Sequence, residues 1–305
     1  MAGFLARRFG QMLLVIFGVS TLVFFALFIA GDPATLMLPP DATAAEIAAF
    51  RHRMGFDAPL LTQYLHYLGK LLHGDFGTSL RFHAPALALV LRHLPATVLL
   101  AVTAMGWSTL LGVGLGILAA VRRDRPADTA LRLVGLSGQA IPVFWLGLLL
   151  ILLFSIRLRL LPVGGYGGLR HLVLPALTLG AYAMSTAMRL TRSSLIEALG
   201  KDYVRTARAK GMPEPYVVVR HALRNALIPV LTFQALEFAS LLGGAVVTET
   251  IFSWPGIGRL AIQAIHNRDF PLVQAIVILS ALCFTTVNLL VDVAYRWLNP
   301  RVRLA

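Results

Sequence analysis

The sequence predicts an all-α polytopic membrane protein with six transmembrane helices, and three observations lead to this fold class. First, 57% of the 305 residues are hydrophobic, only 13% are charged, and the mean hydropathy is +0.76. Second, the chain contains apolar runs of the length that about 30 Å of hydrocarbon requires, roughly 20 residues. There are six such runs, at about 9–30, 97–121, 132–156, 172–192, 227–248 and 272–298.

The third observation is the distribution of basic residues, which sets the orientation. If the amino end is cytoplasmic, 17 of the 27 lysines and arginines lie on the cytoplasmic side. An excess of basic residues in short loops marks that side, so both termini are predicted to be cytoplasmic. The formal charge of +13 is spread over separate loops, which favours an anionic leaflet over nucleic acid as its counterpart.

The first run follows Arg7 and Arg8 and extends without interruption from Gln11 to Ala30. It is longer than the apolar core of a signal peptide, and no small-x-small cleavage site precedes Asp32. Residues 1–30 are therefore expected to form a retained N-terminal anchor helix.

Residues 31–96 form a long polar region that is expected to be extracytoplasmic. A helix is predicted from about Thr43 to Met54, because Thr43 with Glu46 three residues later is typical of a capping box. Residues 60–72 predict an amphipathic helix with Tyr64 and Tyr67 on its apolar side. This second helix is too short and too polar to span, so we expect it on the membrane surface or over the bundle.

Small residues in the second run, Gly112, Gly114 and Gly116, indicate close helix packing in lipid. They do not form a dinucleotide-binding loop, because the G-x-G-x-x-G pattern and a preceding strand are both missing from the sequence. A Walker A motif is also missing, since Gly200 and Lys201 are followed by Asp202. The chain is therefore not expected to hydrolyse ATP by that route.

The segment 193–226 is a charged loop between two apolar runs. It predicts a short helix over about 201–210 that ends at Gly211, because a left-handed glycine terminates helices and Pro213 prevents continuation. Tyr203, Ala207 and Lys210 would share one face of this helix, with small alanines and a tyrosine suited to fit a groove. From the residues alone, docking to a soluble partner and lying on anionic lipid remain equal alternatives.

Polar residues inside apolar runs predict a substrate path, because they are costly in lipid. Glu237 is the leading residue, with Gln234 and Ser240 three positions away on the same helical face. Asn288 is a weaker member, as are Gln139 and Ser137. The alternative role for these groups is an interhelical hydrogen bond to a partner subunit, and the sequence does not distinguish the two.

Three further expectations concern single groups. Asp292 and Arg296 are predicted to form an i,i+4 ion pair, and Glu249 to brace the turn at 254–258. Metal binding is not predicted, because the outer histidines show no i,i+4 pair. The lone cysteine, Cys283, is interpreted as a small apolar residue of the last run.

The chain resembles the first permease subunit of binding-protein-dependent ATP-binding cassette (ABC) importers of the dipeptide, oligopeptide and nickel group. The motifs that carry the resemblance cover nearly the whole chain: GDP at 31–33, QYLHYLGKLLHGDFGTS at 63–79, IPVFWLGLLLI at 141–151, LVLPALTLG at 172–180, DYVRTARAKG at 202–211, RHALRNALIPV at 220–230, ETIFSWPGIGRL at 249–260 and DVAYRWLNPRVR at 292–303. The match departs from the general permease signature, because Arg205-Thr206-Ala207 stands in place of E-A-A and Pro229 falls five residues late.

The resemblance implies the type I importer permease (MetI-like) fold, with a five-helix permease core at 97–305 and a cytoplasmic coupling loop at 193–226. It also implies the ATPase-coupling residues Tyr203, Val204, Arg205, Thr206, Ala207, Arg208, Ala209, Lys210 and Gly211. The implied partners are a second, homologous permease subunit, two ABC ATPase subunits that hold the ATP and magnesium, and an extracytoplasmic substrate-binding protein. This chain is then a transport subunit of the bacterial inner membrane, with no cofactor of its own.

The implied substrate is a peptide, with nickel or glutathione as alternatives for the same machinery. A secondary carrier driven by an ion gradient is the alternative from a different class. The charged loop and the lack of an inverted repeat in the sequence disfavour that alternative.

Overall fold

The computed structural model describes residues 2–29, 31–38, 41–242 and 245–298. Helices dominate this part of the chain, and an isolated antiparallel bridge joins Thr78 to Pro85. The α-helices, in chain order, are α1 (Ala2–Ile29), α2 (Pro33–Met37), α3 (Ala44–Met54), α4 (Leu60–Leu72), α5 (Ala86–Val121), α6 (Pro126–Ala140), α7 (Val143–Leu150), α8 (Leu169–Leu199), α9 (Asp202–Ala209), α10 (Glu214–Tyr216), α11 (Arg224–Leu242), α12 (Val246–Ile251), α13 (Ile257–His266) and α14 (Phe270–Leu298). Two π-helical segments continue these helices, Ile151–Arg157 after α7 and Val217–Leu223 between α10 and α11.

Five helical stretches of the described chain are long and apolar enough to cross a membrane: Ala6–Ala26, Ala86–Val121, Leu169–Leu199, Glu214–Leu242 and Phe270–Val293. Two further helices, Pro126–Ala140 and Val143–Arg157, are together long and apolar enough for a span, and they meet at an angle of 106°. With this pair counted as one broken span, the six predicted spans are all present among the described residues.

Two predicted apolar runs differ from the structure in detail. The run at 132–156 is not one helix, because Ile141 adopts an extended conformation (φ −89°, ψ 121°) before Pro142. A residue that precedes proline is disfavoured in the helical region, so the helix ends there. The run at 227–248 falls on two helices, α11, which is described to Leu242, and α12, which begins at Val246; Gly243 and Gly244 lie outside the described residues.

The chain divides into two compact units, one formed by residues 1–97 and 255–289 and the other by 98–254 and 290–305. In the first unit, α5, α13 and α14 share a buried apolar cluster that includes Val90, Leu260 and Leu272. The buried carboxylate of Asp269 accepts hydrogen bonds from the Ser79 hydroxyl and from the amides of Leu80 (3.2 Å) and Arg81 (3.3 Å). Asp269 thereby fixes the 79–81 turn to the start of α14.

The amino-terminal helices of the first unit confirm the expected local signals. α3 begins with the predicted capping box between Thr43 and Glu46 and ends at Gly55, whose φ is +75°. α4 coincides with the predicted amphipathic helix, and it packs on α1: the Tyr64 ring lies 5.2 Å from the Phe24 ring. The hydroxyl groups of Tyr64 and Thr21 share a hydrogen bond of 2.6 Å.

α8 is the central helix of the second unit and packs against α6, α7 and α11. It also approaches α5 closely: a Cβ placed on Gly112 would come within 2.7 Å of Ala187 and of the Met184 carbonyl oxygen. A Cβ on Gly116 would come within 2.7 Å of Met188 and Thr191 atoms, whereas one on Gly114 would meet nothing within 4 Å. Close packing is thus confirmed for Gly112 and Gly116 and not for Gly114.

A buried ion pair joins α6 to α8 near the end of α8 that precedes α9. The Asp128 carboxylate is fully buried and accepts two hydrogen bonds from the Arg192 guanidinium, at 2.8 and 2.7 Å. It also accepts the Asp124 amide (3.2 Å), which closes the turn between α5 and α6. The pair compensates the charge that Asp128 would otherwise bury alone.

The remaining local expectations have mixed outcomes. Glu249 is fully buried, and its backbone carbonyl accepts the Trp254 amide at 2.8 Å, which links it to the first residue of the turn. The Arg296 side chain lies outside the described part of the chain, as does the end of the 292–303 motif, so the Asp292–Arg296 pair stays a prediction.

Candidate coupling surface and intramembrane polar groups

The predicted helix of the charged loop is present as α9, one residue shorter at each end than expected. Lys201 caps it in an extended conformation (φ −78°, ψ 152°), and Asp202 places an acid in the first turn. Gly211 follows at φ +74°, a left-handed conformation that favours glycine and ends the helix. The predicted stop signal is therefore confirmed.

One face of α9 is buried against its own chain. Val204 and Ala207 are 0% and 4% exposed, and each lies one turn of helix from the other. Their cluster contains Ala120, Leu195, Ala198, Val217, Val218, Ala222 and Ala226, which come from α5, α8, the second π-helical segment and α11. This packing fixes α9 rigidly to the ends of two spans, α8 and α11.

The opposite face of α9 is exposed. Tyr203 is 41% exposed, Arg205 73% and Arg208 40%, and Thr206, Ala209 and Lys210 are exposed as well. The nine predicted coupling residues therefore include exposed side chains and two, Val204 and Ala207, that are buried within this chain. Their coupling role stays a prediction.

Beside Tyr203 lies a groove of about 330 Å³. It is lined by residues of α8, α9 and α11, including Glu197, Asn225 and Pro229. The Tyr203 hydroxyl accepts a hydrogen bond from the Asn225 amide group at 3.2 Å, which holds the ring at the groove edge. The tyrosine therefore presents an oriented side chain with a polar tip.

Several cations of this surface are paired within the chain. Lys201 contacts Glu197 (2.9 Å), Arg208 contacts Glu214 (2.6 Å), and Arg205 pairs with Asp202. The hydrogen bond from Lys201 to Glu197 raises the pKa of Lys201, and that from Arg208 to Glu214 raises the pKa of Arg208. Lysine and arginine are charged at neutral pH in any case, so a partner carboxylate would compete with the internal ones for both groups.

The polar residues predicted for a substrate path have different environments. Gln234 is 5% exposed, and both its amide atoms lack a hydrogen-bond partner within the described residues. Glu237 and Ser240 follow Gln234 along α11 at intervals of about one helical turn. Glu237 is half-buried and Ser240 is exposed. A buried amide without a partner is costly, so a water molecule or a polar group from outside the described residues would stabilise Gln234.

Asn288, in α14, is partly buried, and its side-chain oxygen lacks a partner among the described residues. The two weaker residues are engaged locally instead. The Gln139 amide donates to the Thr186 hydroxyl at 2.7 Å, joining α6 to α8, and the Ser137 hydroxyl donates to the Val134 carbonyl oxygen at 2.7 Å. Gln139 therefore serves packing between helices.

Sequence reasoning missed the Asp128–Arg192 pair, which lies beside the coupling loop. Its partners are 64 positions apart, and a single sequence has no signal that connects them. Within the residues that the structure describes, three or more His, Cys, Asp or Glu side chains do not gather into a group suited to a metal ion.

Two protein families match the chain. The family described as "Binding-protein-dependent transport system inner membrane component" matches residues 112–304. The family described as the N-terminal part of such membrane components matches residues 1–101. Together these matches cover the spans, the coupling loop and the region between the first two spans.

Among curated proteins, the glutathione transport system permease protein GsiC of Escherichia coli (strain K12) is 42% identical over 304 residues, which are 99% of each chain. The protein of the same name from Salmonella typhimurium is 43% identical over the same length, again 99% of each chain. Sequence similarity of this extent is not confined to one domain.

Among solved structures, a chain of the MetNI methionine ABC transporter in inward facing conformations is similar at a TM-score of 0.58. It has 16% identity, and the similarity covers 69% of this chain and 96% of that one. A chain of an amino acid ABC transporter with histidines has a TM-score of 0.56 and 17% identity, covering 69% and 94%. At these identities the likeness shows the fold, which is the predicted importer permease fold.

The family matches, the full-length relatives and the apolar helices agree on a multi-pass inner-membrane permease subunit of an ABC importer. The chain therefore belongs to the family of binding-protein-dependent transport system inner membrane components.

Proposed function

We propose that this permease translocates short peptides, with glutathione as the leading substrate, and that separate ATPase subunits drive it through α9. The observation that carries the proposal is the division of α9 into a buried and an exposed face. A helix fixed by Val204 and Ala207 moves as one body with α8 and α11, while Tyr203 and Arg205 remain open to a partner. Nucleotide binding by such a partner shifts the permease only if its contacts differ between two states.

The substrate class is supported by the relatives. Proteins named glutathione transport system permease are 42–43% identical over nearly the whole of this chain. Glutathione is a tripeptide, so it belongs to the peptide class that the sequence motifs indicate. Nickel is a weaker alternative, because no grouping of potential metal ligands supports it within the described residues.

We assign the coupling role to the exposed residues Tyr203, Arg205, Thr206, Arg208, Ala209 and Lys210, with Gly211 as the hinge. Gln234, Glu237, Ser240 and Asn288 are proposed to line the translocation path or to meet the second permease subunit. In this assignment ATP and magnesium bind the ATPase partners, an extracytoplasmic protein delivers the substrate, and both termini of this chain are cytoplasmic.

The test is uptake of radiolabelled glutathione by proteoliposomes that contain the assembled transporter and its binding protein. We expect uptake that requires ATP on the side of the membrane where the ATPase subunits lie. This uptake should continue when ion gradients are collapsed. A labelled dipeptide that competes with glutathione would extend the substrate class. Uptake that follows an ion gradient without ATP would show a secondary carrier and overturn the proposal.

A further inference from the structure

A groove of about 490 Å³ lies between α6 and α8, near the end of α8 that leads to α9. Its walls include Arg132, Leu133 and Leu136 from α6 and Arg189, Arg192 and Ser193 from α8. None of these residues belongs to the proposed coupling surface or to the proposed substrate path. The groove therefore needs its own explanation.

The charge of the groove is positive. Arg192 is held by the fully buried Asp128, and Arg132 lies 3.7 Å from the same carboxylate. Arg189 is exposed and forms no ion pair within the described residues. One carboxylate thus stands against three guanidinium groups, which leaves an excess of positive charge in the groove. The Ser193 hydroxyl does not add a donor, because it already donates to the Arg189 and Leu190 carbonyl oxygens of α8.

The same groove has apolar walls that are exposed. Leu133 is 63% exposed and Leu136 is 51% exposed, and both follow Arg132 along one side of α6. Guanidinium groups bind phosphate in a bidentate manner, and leucines beside them suit hydrocarbon. A soluble anion would use the arginines only, whereas a phospholipid would use both parts of the groove.

The position along the chain agrees with a membrane boundary. Arg192 lies two helical turns before α8 ends at Leu199, on the side of the membrane that holds α9. Basic pockets between transmembrane helices on that side are suited to anionic headgroups. We propose that this α6–α8 groove binds the phosphate headgroup of an anionic phospholipid, with its acyl chains along Leu133 and Leu136.

The test separates binding from transport. The variant is Arg132→Gln/Arg189→Gln, which leaves Arg192 paired with the buried Asp128 and so keeps α6 joined to α8. The matched control is Arg157→Gln/Arg170→Gln, which removes two exposed arginines, one at the end of the first π-helical segment and one at the start of α8. Each purified full-length protein is titrated with phosphatidylglycerol and, separately, with phosphatidylcholine, and the bound lipid is counted by native mass spectrometry.

We expect the wild type and the control to hold one phosphatidylglycerol in preference to phosphatidylcholine. The groove variant should bind it about twenty-five-fold more weakly, since each of the two basic residues near an anionic surface contributes about a factor of five. Equal retention by the groove variant would overturn the proposal. Displacement of the lipid by excess inorganic phosphate would show an anion site, and a thiol cross-link from Leu136→Cys to the second permease subunit would show a protein interface; each result would also overturn it.

Discussion

At the scale of the residue, burial distinguishes two alanines that the sequence presents as equivalent. Ala207 is 4% exposed inside the cluster that holds α9, whereas Ala209 is exposed on the same helix. Spacing on a helix predicts which residues share a face, but it does not say which face turns inward. This is why the face predicted from Tyr203, Ala207 and Lys210 includes one residue, Ala207, that is buried within the chain.

We predict that Ala207→Glu destabilises the protein and that Ala209→Glu does not. A carboxylate at 207 would be buried without a partner, which costs about 3–5 kcal/mol, whereas an exposed substitution changes stability by about 0.5 kcal/mol or less. The measurement is the thermal unfolding midpoint of the purified chain in detergent. Equal midpoints for the two variants would contradict the buried face of α9.

A second residue-scale prediction concerns Glu237. Glu237→Ala should lower glutathione uptake at least about tenfold while the complex still assembles. An ionisable group in a span is energetically costly, and its presence there indicates a functional role. Glu237→Gln separates the charge from hydrogen bonding. Thr232→Ala is the control, since that hydroxyl already bonds to the Ile228 carbonyl oxygen of its own helix at 3.0 Å. Wild-type uptake by Glu237→Ala would assign the residue to packing.

At the scale of the element, local signals predicted α3, α4 and α9 well. Caps, left-handed glycines and amphipathic spacing act within a few residues, so one sequence is sufficient to reveal them. The break between α6 and α7 had a local signal as well, Pro142, but the continuous hydropathy of the run concealed it. Contacts between distant segments, such as Asp128 with Arg192, have no local signal.

We predict that Gly211→Pro uncouples ATP hydrolysis from transport. Proline fixes φ near −65°, so it cannot adopt the +74° of this position, and the turn after α9 must rearrange. Gly211→Ala should cost about 1–2 kcal/mol, because the left-handed φ strains a residue with a Cβ, even though that Cβ would meet nothing within 4 Å. Uptake per ATP hydrolysed is the measurement. Gly200→Ala is the control, because Gly200 has an ordinary φ of −83°.

That prediction fails if Gly211→Pro retains the wild-type ratio of uptake to hydrolysis. A low ratio for Gly211→Ala as well would agree with a requirement for the left-handed backbone, because the added Cβ meets nothing within 4 Å. The wild-type ratio in Gly211→Pro would remove the hinge role from Gly211.

Helix packing gives a further element-scale prediction. Gly116→Val should destabilise the contact between α5 and α8, because a Cβ there would come within 2.7 Å of Met188 and Thr191 atoms. Gly114→Val, two residues earlier on α5, is the control, because a Cβ at that position would meet no atom of the described residues within 4 Å. We expect a loss of about 1–3 kcal/mol for Gly116→Val from overpacking, measured by unfolding of the purified chain in detergent. Equal stability of the two variants would contradict the close approach.

At the scale of the whole molecule, the class of protein followed from the sequence and was confirmed. Length, hydropathy and motifs spread over the chain are sufficient to indicate a polytopic importer permease. The surfaces that bind partners were harder to predict from the sequence, because the exposure of a side chain depends on tertiary packing. Gln234 illustrates this: the sequence marked it as polar within a span, and only the structure shows that both its amide atoms are buried without a partner in the described chain.

The central claim is that the exposed face of α9 contacts the ATPase, and site-directed cross-linking tests it most directly. Cys283 is the lone cysteine, so Cys283→Ser gives a background for single cysteines. With a thiol-directed photo-crosslinker on the assembled transporter, Arg205→Cys should form a covalent product with the ATPase subunit. Val204→Cys, buried one residue away, and Arg170→Cys, at the other end of α8, should form none. No product from Arg205→Cys in an assembled complex, or equal product from Arg170→Cys, would contradict the account.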